Sequence, residues 1–159
     1  MRIRTTAAAV IGVVLLAGAV GCSSENDGSK PAASASAEQR PEALTAKQAA
    51  EHLAEATGVT TLGDPQDNTS GCSNEAAGKA AHENDCSQLI TTDTVSVYEF
   101  KTAKVATGWV KQMSKNKDSD WRQVDRFALA WTARDQALTS DERRDELETA
   151  LADLVKKNK

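Results

Sequence analysis

The most apolar stretch of this chain stands where it contributes nothing to a core. Residues 7–20 form a largely apolar run behind Arg2 and Arg4, and it closes on Gly21-Cys22. A basic start, an apolar centre and small residues at the end are the layout of an export signal. The run falls short of the about 20 residues that a membrane-spanning helix needs. The polar sequence Ser23-Ser24-Glu25-Asn26-Asp27-Gly28-Ser29-Lys30 then separates it from everything downstream. Whatever folds must do so with the remainder. Hydrophobic residues make up 40% of the chain and aromatics 4%, but much of that apolar share lies in the leader and in alanines. The core is therefore expected to be small.

The residues Leu15-Leu16-Ala17-Gly18-Ala19-Val20-Gly21-Cys22 resemble a bacterial lipoprotein signal peptide. Val20 and Gly21 match the family pattern, and Ala19 stands where leucine is usual. The resemblance implies that residues 1–21 are a removable leader and that Cys22 carries diacylglycerol on its sulfur as the first residue of the mature chain. It also implies lipid anchoring at the outer face of the cell membrane. Acyl chains contribute about 0.8 kcal/mol per buried methylene, so two or three of them hold firmly. Plain secretion with a free Cys22 thiol and a retained membrane helix are the alternatives. The whole layout is similar to small secreted actinobacterial lipoproteins, a likeness that rests on the leader and Cys22 alone.

Residues 22–41 read as a flexible tether. The sequence Gly28-Ser29-Lys30-Pro31-Ala32-Ala33-Ser34-Ala35-Ser36-Ala37 has nothing to pack, and a linker of that length reaches about 25 Å on average. Residues 42–159 are then enough for a single domain.

With Cys22 assigned to lipid in an oxidising compartment, Cys72 and Cys86 form an even pair, so the resemblance implies a disulfide between them. In the chain-entropy model, closing such a fifteen-residue loop contributes about 3 kcal/mol. A zinc site joining the thiols with His82, Glu83 and Asp85 fits no standard ligand spacing. A redox pair would want Cys-x-x-Cys, which is absent. Between the cysteines, residues 73–82 carry alanine and glutamate enough for one or two helical turns, weakened by Gly78.

Thr45 and Gln48 make a capping box that starts a first helix, which Thr57-Gly58 closes. Residues 59–62 or Leu89-Ile90 can supply a brief extra strand, and residues 63–71 read as a loop. A strand is expected within 89–100, with Val95 and Val97 on one face and Tyr98 and Phe100 on the other, which suits cover on both sides. Asp93 sits in an Asp-Thr turn near its start. A helix over residues 102–113 presents Val105, Ala106, Trp109, Val110 and Met113 as an apolar stripe. A second strand within 121–132 alternates Phe127, Leu129 and Trp131 with the small Ala128 and Ala130, which can lie under a helix. Thr139 with Glu142 caps a last helix that buries Leu147, Ala150, Leu151, Leu154 and Val155. The expected fold class is α+β: a small disulfide-stapled domain with a short, mainly antiparallel sheet packed against helices.

Charge is uneven. Residues 22–100 carry four Lys/Arg against thirteen Asp/Glu, and residues 101–159 carry thirteen against ten. The acidic balance argues against nucleic acid as a partner, and the polarity suits two halves attracting each other within one fold. His52 and His82 are the only histidines, and the phosphate loops, nucleophile elbows and metal series of common enzymes are missing. The reading is a non-catalytic, lipid-anchored surface domain that needs no cofactor. Its partners would be membrane lipid through Cys22 and another envelope protein, in an interaction or accessory role. The alternative is a small-molecule or signal-sensing module with an apolar pocket near the tryptophans. Trp121, expected to be partly exposed, is the first candidate contact and Trp109 the second, with core packing as the competing role of both.

Overall fold

Thr45 starts the first helix as its spacing to Gln48 predicts. The Thr45 hydroxyl accepts the Gln48 amide N–H at 3.2 Å, and the Gln48 side chain accepts the Thr45 N–H at 2.9 Å. Helix α1 runs Ala46–Ala56. Its other free N–H groups are taken by the sheet: Ala46 donates to Glu99 at 3.0 Å and Lys47 to Gln88 at 2.9 Å. The first turn therefore ends with no orphan donor, and a carboxylate lies at the positive end of the helix. At the other end Gly58 adopts φ 69°, and the bonds Gly58 N to Glu55 O and Val59 N to Ala54 O close a Schellman motif.

The computed structural model describes residues 43–159. The leader 1–21, Cys22 and the tether 22–41 lie outside the described residues. The described elements belong to one compact unit. After α1 come β1 (Gln66–Asp67), a 3₁₀ turn (Thr69–Gly71), β2 (Cys86–Thr91), β3 (Ser96–Phe100), α2 (Ala103–Met113), β4 (Asp120–Val124), β5 (Phe127–Trp131), a second 3₁₀ turn (Gln136–Leu138) and α3 (Asp141–Lys157). The strands form one five-stranded sheet in the order β1-β2-β3-β5-β4, with every neighbouring pair antiparallel. Since β3 and β4 both run antiparallel to β5, they are parallel to each other, with α2 connecting them and β5 inserted between. This is the disulfide-stapled α+β domain that the sequence pattern predicts.

Several local expectations need correction. The strand expected within 89–100 is a hairpin, β2 and β3, with Leu89-Ile90 as the separate strand inside β2; the Thr92 hydroxyl turns it by accepting N–H bonds from Thr94 and Val95. The strand expected within 121–132 is a second hairpin. Its two-residue loop holds Asp125 at φ 53°, and the missing glycine hides it from a reading based on turn signals. Residues 59–62 form no strand. Leu62 is buried and its carbonyl accepts the Thr94 N–H, while Gly63, at φ 106°, lies so near Asp93 that a Cβ there would stand 2.5 Å from the Asp93 side chain. A further strand is Gln66–Asp67, inside the segment read as loop. Residues 73–82 make a single helical turn, within the one or two expected, with Ala77 N–H bonded to the Ser73 carbonyl and Gly78 at φ 75° closing it. The last helix is capped by Ser140, which accepts from Arg143 N–H; Thr139 instead donates to the Thr94 carbonyl at 3.0 Å.

The two faces of the sheet have different covers, which gives a three-layer arrangement. Val95, Val97, Phe127, Leu129 and Trp131 pack with Ala49, Leu53, Leu147 and Leu151 of α1 and α3. Leu89, Phe100, Ala128 and Ala130 lie on the other side with Ala106 of α2, Trp121 and the disulfide. The alanines of β5 are what let α2 come close, as their alternation predicts.

The charge polarity does not pair the two halves. Among the described residues one ion pair crosses from residues 22–100 to 101–159, Arg126 to Glu99 at 2.6 Å. Arg126 also donates to the Leu44 carbonyl. The remaining basic side chains pair mostly within their own half, as where Arg122 meets Asp120, Asp145 and Glu148.

Candidate functional site

Helix α2 covers its face of the sheet only in part. Thr102 caps it by accepting the Val105 N–H, and Ala106 is fully buried against the strands. Val105, Trp109, Val110 and Met113 are half-buried. Beneath them lies an aromatic cluster. Phe100 and Tyr98 stand 5.6 and 6.3 Å from the Trp109 ring, and Trp121 stands 4.9 Å from Tyr98. Such tilted arrangements suit the ring quadrupoles. Burial pushes the Tyr98 phenol above its ordinary pKa.

The Cys72–Cys86 disulfide forms, with the two Cα atoms 5.5 Å apart. The loop between the cysteines lies against α2, where the Trp109 indole N–H donates to the Asn84 carbonyl at 2.6 Å. Helix and loop then enclose an open groove of about 600 Å³, lined by Val105, Gly108, Trp109 and Met113 on the apolar side and Glu83, Asn84, Lys104 and Gln112 on the polar side. A polar hollow of about 310 Å³ adjoins it across Asn84 and Trp109 and includes His82, Asn74 and Asp85.

Asp85 organises that loop. It accepts from Asn74 Nδ2 at 2.8 Å, His82 N–H at 2.9 Å and Glu75 N–H at 3.4 Å. These bonds, the His82 amide first, hold its carboxyl below the ordinary aspartate value of 3.8. A depressed folded-state pKa contributes stability above the unfolded value and loses it as pH falls through the folded one. Acidification below pH about 4 is therefore expected to loosen the loop. Amide NMR checks this: the His82 and Glu75 N–H signals should shift together on acidification and should be insensitive to pH in Asp85→Asn. Signals that stay fixed to pH 2 in the wild-type chain would contradict it.

The two candidate tryptophans part company. Trp121 is not partly exposed; it is 6% exposed. It sits in β4 opposite Ala130, whose small side chain leaves room for the indole beside Tyr98. Trp109 keeps a surface and lines the groove. Asn84 and Gly108 were not foreseen. The first acts through a backbone carbonyl, which leaves no side-chain signature, whereas a glycine inside the helical stripe of α2 was a usable signal. His52 is exposed, with Glu55 at 3.7 Å. Glu99 is occupied by Arg126 and the Ala46 amide, and Asp93 lies in the β2–β3 turn. Among the described residues no group of His, Cys, Asp and Glu is placed to hold a metal ion, and no helix is long and apolar enough to cross a membrane.

No protein-family model, curated protein or solved structure matches the chain. Its class rests on architecture: a small α+β domain with an antiparallel sheet between helices and one disulfide.

Proposed function

We propose that this chain is a non-catalytic domain, lipid-anchored through Cys22 at the outer face of the cell membrane, that binds a ligand in the groove beside Trp109. The observation that carries the binding reading is the concavity itself: a half-buried tryptophan among apolar and polar side chains, between a helix and a stapled loop. Docking of another envelope protein is the reading that a broad apolar patch would favour. The described surface offers only Val59 and Leu138 as exposed large hydrophobics. The anchor is supported by the leader pattern and Cys22, and the disulfide suits an oxidising compartment.

Native mass spectrometry of the protein extracted from its own membrane tests the reading. Gly108 has open space where a Cβ would go, so Gly108→Trp fills the groove from the helix side. The expected result is a small-molecule mass carried by the wild-type chain and lost from Gly108→Trp, with circular dichroism unchanged. Equal occupancy of the two would contradict binding at this groove, and a protein-sized addition lost from the variant would favour the docking reading.

A further inference from the structure

We propose that the Trp109 groove is a saccharide site, taking a neutral pyranose ring of a glycan over Trp109 and Gly108; this rests on the binding role proposed above. Three observations converge on that chemistry. The first is the aromatic platform. Trp109 is held from behind by Tyr98 and Phe100 and is fixed in rotation by its N–H bond to the Asn84 carbonyl. An indole so fixed costs little further entropy on binding, and its electron-rich face attracts the polarised C–H groups of a sugar ring.

The second is the polar rim. Among the described residues, the side chains of Glu83, Asn84, Lys104 and Gln112 make no hydrogen bond to protein, yet all four line the groove. Together they offer the amide, carboxylate and ammonium groups that hydroxyl and acetamido substituents can meet. Glu83 and Lys104 offset each other in charge. Their opposite charges leave the rim without a net charge to favour a phosphate or carboxylate ligand, and a hydrocarbon chain would leave the rim unsatisfied.

The third is Gly108. A glycine inside a helix is unfavourable relative to alanine, and here no neighbour lies within 4 Å of the position of a Cβ. Packing does not require the glycine. Gly108 lines the groove together with Trp109, so a side chain there would project toward its space.

These features make a test that a structural role cannot mimic. The full-length chain is titrated with β-1,4-linked tetra-N-acetylglucosamine while the indole N–H signals are followed by NMR. Trp121 and Trp131, both buried, serve as internal references. The expected result is a saturable shift of the Trp109 signal alone. Gly108→Ala should raise the melting temperature by a few degrees, because alanine favours the helix, yet weaken binding roughly tenfold. Trp109→Phe should keep the fold and weaken binding as well. A parallel titration uses N-acetylphenylalanine amide, a neutral apolar probe without hydroxyls. If that probe shifts Trp109 and the saccharide does not, the ligand class is overturned while the groove keeps its binding role. If neither shifts Trp109, and the wild-type and Gly108→Trp proteins also carry equal small-molecule mass, both proposals fall. Saccharide binding that Gly108→Ala leaves unchanged would overturn the site.

Discussion

Gln136→Leu is expected to lower the unfolding free energy by roughly 3–5 kcal/mol, a large part of the total for a small domain. Gln136 is fully buried in the 3₁₀ turn before α3. Its amide nitrogen donates to the Thr92 carbonyl at 2.8 Å and to Ser96 Oγ at 3.0 Å. Its oxygen accepts the backbone N–H groups of Thr132 at 3.2 Å and Ala133 at 3.1 Å. One side chain thus joins the end of β5 to the turn between β2 and β3. Leucine has a similar volume, so little cavity forms, and the cost falls on the polar groups left without partners in the interior. Urea unfolding measures it. A loss under about 1 kcal/mol would mean that water or a shifted backbone satisfies those groups.

Replacing both cysteines, Cys72→Ala with Cys86→Ala, is expected to cost about 3 kcal/mol through the unfolded chain and to lower the melting temperature by about 10 °C. The effect reaches the groove. Asn84, whose carbonyl holds the Trp109 indole, lies two residues before Cys86, and without the disulfide the loop ends are joined by the Cys86 N–H to the Cys72 carbonyl at 3.2 Å and by the Asn74 and Glu75 bonds to Asp85. The double variant should therefore show a displaced or broadened Trp109 indole signal, with Trp121 and Trp131 little changed. A wild-type melting temperature together with an unmoved Trp109 signal would contradict the assigned role of the disulfide. Reduction of the wild-type protein provides the same comparison without substitution.

What could be read from the sequence was mostly local and periodic. Thr45 with Gln48, and Gly58 at the end of α1, each act within a few residues of themselves, and each is found where its spacing puts it. The alternations Val95/Val97 against Tyr98/Phe100, and Phe127/Leu129/Trp131 against Ala128/Ala130, divide between the two faces of the sheet as the pleat requires. The hairpins are only partly legible: Asp93 marks the turn between β2 and β3, where Thr92 turns the chain with its side chain, whereas Asp125 takes a left-handed conformation without being glycine. Strand β1 exists only because Gln66 and Asp67 pair with Thr91 and Ile90, which no local pattern announces. Gln136 carries no local signal because two of its partners lie 40 and 44 positions away.

The candidate site shows the same division. Trp109 was visible as part of an apolar stripe. The groove needs Glu83 and Asn84 against α2, and that contact is tertiary. Trp121 was misjudged because its place at the end of a polar loop suggests exposure, whereas pairing with Ala130 carries it under the aromatic cluster. The tertiary contacts of β4 outweighed the polarity of its neighbours.

The proposed display of a binding domain outside the cytoplasm on a lipid anchor is tested most directly by the intact mass of the protein recovered from its membrane. The predicted mass is that of residues 22–159 with acyl groups on Cys22 and two hydrogens fewer than the fully reduced chain, the difference that the Cys72–Cys86 bond makes. An unacylated Cys22, or a mature chain that starts elsewhere, would contradict the anchor, and a mass retaining both thiol hydrogens would contradict the oxidising compartment.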